Sequence, residues 1–238
     1  ASATGSGSGA SSGIFRINCS ETAKISSTDC AMGSSWAAVS VWGFRPAVFS
    51  CKSKDASSEM SVREALKTRH SVREFSTRPI DDATVLDILW AANGVNRDDG
   101  RRTAASAVNA QDIDLYVCKA DGAFRYDPAA ARLDLVTKED IRPLFRSRNS
   151  YVDVAPFTIL AVSDQERFGR IRSSGRSEEF GHIDAGIVSA NIYLYCTAIG
   201  LGTVCCSPGM DSDGIRTALG LPDSHIPVLY HPVGYPAE

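Results

Sequence analysis

The stretch DAGIVSANIYLYCTAIGLGTV, Asp184 to Val204, carries no charge after its first residue. Its apolar part, Ala185 to Leu201, falls short of the roughly 20 apolar residues that a membrane-spanning helix needs. It also contains Ser189, Asn191, Tyr193, Tyr195 and Thr197, which suit a helix buried inside a protein rather than in lipid. A helix from about Glu179 to Ile199 is therefore expected at the centre of the fold, with Gly200-Leu201-Gly202 as its stop. No membrane span is expected.

The elements around this helix alternate in type. Upstream, the apolar run Phe157 to Val162 reads as an interior strand and Thr137 to Phe145 as a helix. Ile113 to Val117 reads as a half-buried strand, turned by Ala120-Asp121-Gly122 into a second strand near Phe124 to Tyr126. Earlier still, Ser61 and Glu64 form a capping box for a helix running to about Arg69. Asp81 or Asp82 opens a second helix, with Val85, Leu86, Leu89 and Trp90 at helical spacing and Asn93-Gly94 at its end. Downstream, Asp211 or Ser212 begins a short helix to Leu219, and Ile226 to Val233 makes a last strand. This order implies an α+β or α/β layer fold without internal repeats.

Composition changes near residue 58. Before it, 30 of 58 residues are Ala, Ser or Gly, and the acidic side chains are Glu21, Asp29 and Asp55 alone. Residues 1–58 are read as a low-complexity segment, suited to a leader, a transit segment or a tail. Residues 59–238 are read as the folded domain. The whole chain has 238 residues, 43% hydrophobic and 22% charged, with net charge -3, so a globular protein acting on small molecules is expected, with no nucleic-acid partner. Seven Cys residues form no C-x-x-C pair, and the four His residues (His70, His182, His225, His231) lack metal-ligand spacing. Buried free thiols are the default reading, and no metal site is expected.

Three segments carry polar chemistry. Arg69-His70-Ser71-Val72-Arg73 puts two guanidiniums, a hydroxyl and an imidazole within five residues, either a phosphate cradle or a solvated helix end. Asn96 to Gln111 offers amides and hydroxyls, including Ser106, Ala107-Val108 and Asn109, that suit either the edge of a planar heterocycle or plain solvent. Gly200 to Gly209, with Cys205, Cys206 and Ser207, is either a close backbone approach to a flavin or a tight connection. The chain has no H-E-x-x-H, Walker loop or strand-linked G-x-G-x-x-G.

In order and spacing, the segments Ala65 to Phe75, Leu89 to Asn96, Gly100 to Ala107, Asp184 to Leu194, Gly200 to Val204 and Val233 to Pro236 resemble the nitroreductase superfamily. The likeness is greatest to its compact thiazoline-oxidase-like branch. It implies an α+β three-layer sandwich with a central mixed or antiparallel sheet, assembled as an intertwined homodimer around the long buried helix. It also implies FMN as cofactor and NAD(P)H as co-substrate. Arg69, His70, Ser71 and Arg73 match the motif that holds the phosphate and ribityl chain. Ser106, Ala107 and Asn109 match the loop that reaches the flavin from the partner subunit, and Cys205, Cys206 and Ser207 the segment that lies against its ring and presents backbone N–H to it. No side chain is assigned as an acid, base or nucleophile. The implied activity passes hydride equivalents from NAD(P)H to an electron-poor acceptor, such as a nitroaromatic or a quinone, by a ping-pong mechanism. Its alternatives are an azoline oxidase or dehydrogenase, and a non-catalytic flavin-binding dimer. The sequence departs from the family pattern at Ala105, where Pro is usual, at Cys206, where this branch often has Arg, and at Pro208.

Overall fold

A computed structural model describes residues 60–145, 150–207 and 209–237. The low-complexity segment expected over 1–58 lies outside the described residues. Helix α1 (Val62–Thr68) starts where the capping box places it, with the Ser61 hydroxyl accepting the Glu64 N–H. Helix α2 (Asp82–Asn93) has Asp81 as N-cap, its carboxylate accepting the Thr84 N–H. Six strands follow: β1 (Ile113–Lys119), β2 (Gly122–Asp127), β3 (Arg132–Thr137), β4 (Phe157–Asp164), β5 (Gly202–Thr203) and β6 (His225–Gly234). They form one sheet in the order β3-β2-β1-β4-β6-β5, antiparallel at every pairing. The short helix α3 (Tyr151–Val154) precedes β4, the long helix α4 (Ser177–Ala198) links it towards β5, and α5 (Ser212–Leu219) leads into β6.

Strand alternation sorts the core into two layers. Ile113, Leu115 and Val117 of β1 and Phe157, Ile159 and Ala161 of β4 join Val85, Ile88 and Leu89 of α2 and Ala185, Val188 and Ile192 of α4. Tyr116, Cys118, Leu160, Val162 and Tyr230 point the other way, onto Phe145, Ile215 and Leu219. The protein is thus an α+β sandwich of three layers. Strand β1 is buried on both faces rather than half-buried, because α5 and the 3-10 turn Arg142–Phe145 cover the second face. Its inward Asp114 is matched by Arg125 and Arg167 at 2.8 and 2.9 Å.

The helix expected over Thr137 to Phe145 does not form. Thr137 ends edge strand β3, and only Arg142–Phe145 turns, as a 3-10 helix. Pro143 cannot donate a backbone hydrogen bond, and Asp140 grips the Arg142 guanidinium and N–H instead of extending a helix. A 3-10 helix at Gln165–Ser174 was likewise not anticipated. Helix α4 starts two residues before the expected Glu179, and its apolar face crosses the sheet over β1, β4 and β6.

Gly181, on the buried side of α4, has no room for a side chain. An added Cβ would sit 2.4 Å from Ser163 Oγ and 3.0 Å from Ser163 Cβ, which β4 holds in place. In an open helix Gly→Ala stabilises by about 1 kcal/mol; here Gly181→Ala is expected to destabilise by about 1–3 kcal/mol through overpacking. Denaturant unfolding checks this, and a stabilised variant would contradict the packing.

Candidate functional site

Helix α1 ends when Arg69 turns to extended backbone, φ -54 and ψ 125, while its N–H still closes the last turn on Ala65 O. The chain beyond runs alongside β5, where the Val72 N–H donates to Thr203 O at 3.0 Å. That approach depends on Gly202, since a Cβ there would meet the Val72 side chain at 2.7 Å. Segment 69–73 is thereby clamped beside β5, and so beside the residues that follow β5 in sequence.

Tyr193 of α4 joins the two. Its hydroxyl accepts the Cys205 N–H at 2.7 Å and meets the Ser71 hydroxyl at 3.1 Å. The Arg69 guanidinium lies 5.0 Å over the same ring. His70 Nδ1 donates to Thr68 O at 3.0 Å, and the ring is otherwise exposed. Among the described residues, neither Arg69 nor Arg73 has a carboxylate partner. Arg69 and the Ser71 hydroxyl meet at the Tyr193 side chain, and with His70 and the exposed Arg73 in the same five residues they suit an anionic group.

Next along the chain, Cys206 pairs with Tyr230 through both backbone bonds, 2.9 and 2.8 Å. The Ser207 hydroxyl donates to Val228 O at 2.8 Å. The N–H groups of Cys205 and Cys206, expected to face a flavin, are thus spent on Tyr193 Oη and Tyr230 O. Cys118, Cys196 and Cys206 are buried free thiols as expected, but Cys205 is exposed. Surrounding protein still pushes the Cys205 pKa up, against a Ser189 hydrogen bond that lowers it. Cys206 Sγ meets Tyr151 Oη at 3.3 Å; burial and this contact raise the tyrosine pKa.

Behind the site lies a polar chain. Thr203 Oγ1 donates to Pro232 O at 2.8 Å, so it accepts from His231 Nδ1 at 3.1 Å. His231 Nε2 then accepts the Ser189 hydroxyl at 2.8 Å. Burial lowers the His231 pKa to about 3, so the ring is neutral and fixed in the Nδ1–H tautomer.

The third segment sits elsewhere. Ala107 N–H donates to both Asp184 carboxylate oxygens at 3.0 and 2.9 Å, and Gln111 N–H to Ser106 Oγ at 2.9 Å. Between them Val108, Asn109 and Gln111 adopt positive φ, 49, 57 and 51°, which costs about 1–3 kcal/mol each where the surroundings enforce it. Asp184 lies nine residues before Tyr193, about 13.5 Å along α4. Ser106, Ala107 and Asn109 therefore do not meet the Arg69 and Cys205 segments within one chain.

Sequence reading left Tyr193, Tyr151 and Asp184 without a role. A half-buried tyrosine in a long uncharged stretch was the available signal, because its phenol needs a partner. No signal marked Tyr151.

The model of the nitroreductase family matches residues 66–235. A protein of Methanocaldococcus jannaschii, provisionally named a nitroreductase, is 29% identical over 189 residues, covering 76% of this chain and 93% of the relative. One of Methanothermobacter thermautotrophicus, provisionally named an NADH dehydrogenase/NAD(P)H nitroreductase, is 28% identical over 184 residues, covering 76% and 80%. A crystal structure from Ralstonia eutropha, provisionally named a nitroreductase, superposes with TM-score 0.70 at 32% identity over 75% of this chain and 84% of that one.

Tyr193→Phe removes the shared hydroxyl and leaves the Cys205 N–H without its acceptor. It is expected to lower stability by about 1 kcal/mol, read by thermal unfolding. An unchanged midpoint would show that the hydroxyl does not tie the two segments.

Proposed function

The chain belongs to the nitroreductase family of flavin oxidoreductases, and from that premise we propose that it is an FMN-dependent enzyme passing hydride equivalents from NADH or NADPH to an electron-poor small molecule. One observation carries the assignment of its site. Tyr193 holds the Ser71 and Cys205 segments together, with the Arg69 guanidinium over its ring and the exposed Arg73 two residues beyond Ser71. The name of the M. thermautotrophicus relative supports a nicotinamide donor.

In this reading Arg69 and Arg73 hold the FMN phosphate, while His70 and Ser71 face the ribityl chain. Cys205, Cys206 and Ser207 lie against the ring. FMN, when bound, supplies two-electron hydride chemistry, so donor and acceptor use the site in turn and the kinetics are ping-pong. The protein's own part is to bind and orient: the chain Ser189–His231–Thr203 keeps a neutral, rigid floor beneath Cys205, and no side chain need exchange a proton. Acceptors of this chemistry include nitroaromatics and quinones.

The same reading completes the site with Ser106, Ala107 and Asn109 of a second copy, in a homodimer built on α4. Two features support it. Val62 and Leu66 of α1 are exposed, at 69% and 60%. A groove of about 430 Å³ opens between α1, α2 and α4, lined by Met60, Val62, Ala65, Leu194 and Ala198 among others. An apolar surface of this kind marks an interface.

Titration of FMN, followed by quenching of its fluorescence, tests the cofactor assignment. Arg69→Ala and Arg73→Ala are each expected to weaken binding about tenfold or more, since a charge-assisted hydrogen bond contributes about 1.5–3 kcal/mol. Exposed Lys67→Ala is expected to bind as the parent does. Parent-like affinity in both arginine variants would remove the phosphate from this place.

A further inference from the structure

At the far end of the sheet from Tyr193, two carboxyl groups meet in the interior. Asp112, just before β1, is 0% exposed and Asp184 of α4 is 2% exposed. The two carboxyl groups neighbour each other, and two carboxyl groups hydrogen bond only with a proton between them.

The other contacts place that proton. Asp184 uses both oxygens to accept the Ala107 N–H, as an ionised carboxylate does. Asp112 Oδ2 accepts from Ser163 Oγ, which in turn accepts Gln165 Nε2 at 2.7 Å. Asp112 Oδ1 is buried and without a partner when both groups are written as anions. A proton on Oδ1, donated to Asp184, satisfies it.

The charges around the pair do not replace that proton. From the loop after α2, Arg102 faces Asp112; its Nη1 is given to Ile113 O, and its buried Nε hydrogen bonds neither to Asp112 nor to any other group. Arg167, in the 3-10 helix after β4, is bound to Gln111 O and to Asp114 of β1 and Asp164 of β4. Tyr126 of β2 faces Arg102, and α2 contributes the neutral Asn93. Burial, followed by the neighbouring Asp184, raises Asp112 to about 7.

We propose that the proton shared by Asp112 and Asp184 latches the 106–111 loop, and that its loss releases the loop. A second buried negative charge beside Asp184 is relieved when that carboxylate turns towards water and lets go of the Ala107 N–H. Val108, Asn109 and Gln111 then relax from left-handed backbone. The latch belongs to the chain alone. Its consequence, a cofactor site that loosens as pH rises, rests on the FMN reading above.

Amide hydrogen exchange, corrected for the intrinsic pH dependence of exchange, tests the latch without cofactor. Between about pH 6 and about pH 8.5, protection at Ala107 and Gln111 is expected to fall by roughly tenfold per pH unit above the transition, while β1 and β4 stay protected. In Asp112→Asn the side-chain amide donates to Asp184 at every pH, and the fall should vanish. Should that variant not fold, the infrared carbonyl band of a protonated carboxyl in the parent should disappear over the same pH range. Equal loop protection at both pH values overturns the proposal, as does an Asp112→Asn variant that loses protection like the parent. Loop release with no change in FMN affinity would uphold the latch and remove the loop from the cofactor site.

Discussion

Helix α4 lies across the sheet with one face sealed against β1, β4 and β6, and that burial constrains everything near it. A buried polar group without a partner costs about 1–3 kcal/mol, so each polar side chain on this helix must fix something else in place. Asp184 takes the Ala107 N–H, Ser189 takes His231, and Asn191 donates to Ala92 O of α2 at 3.2 Å. Tyr193 takes Cys205 and Ser71. One helix thus positions the two expected halves of a cofactor site, at points about 13.5 Å apart on its axis.

The electrostatics of the two ends differ. Near Tyr193 the Arg69 guanidinium is exposed and rests over the ring, and the buried His231 is neutral. Near Asp184 two acids are buried together, and the backbone they hold is bent against its preference.

Much of this was legible in the sequence, for identifiable reasons. Caps at Ser61 and Asp81 place α1 and α2 because their side chains close the first turn. The uncharged run after Asp184 marks α4, since only a helix covered by protein tolerates that composition. The family likeness of Ala65 to Phe75 and Gly200 to Val204 identifies two segments that the structure does bring together. Strand β3 was missed although Arg132–Thr137 alternates, because Asp and Arg on an exposed edge strand dilute the apolar signal. The positive φ of Val108 and the meeting of Asp112 with Asp184 were beyond reach. Neither follows from local preference; both are imposed by elements distant in sequence.

In the proposed function, the surface joined by Tyr193 holds a flavin that accepts hydride from a nicotinamide. The visible absorption spectrum of the purified chain, supplied with FMN and then with NADPH or NADH without oxygen, tests it most directly. The account predicts a yellow protein that bleaches promptly on adding the nicotinamide. A chain that stays colourless after FMN is supplied and excess is removed would contradict it.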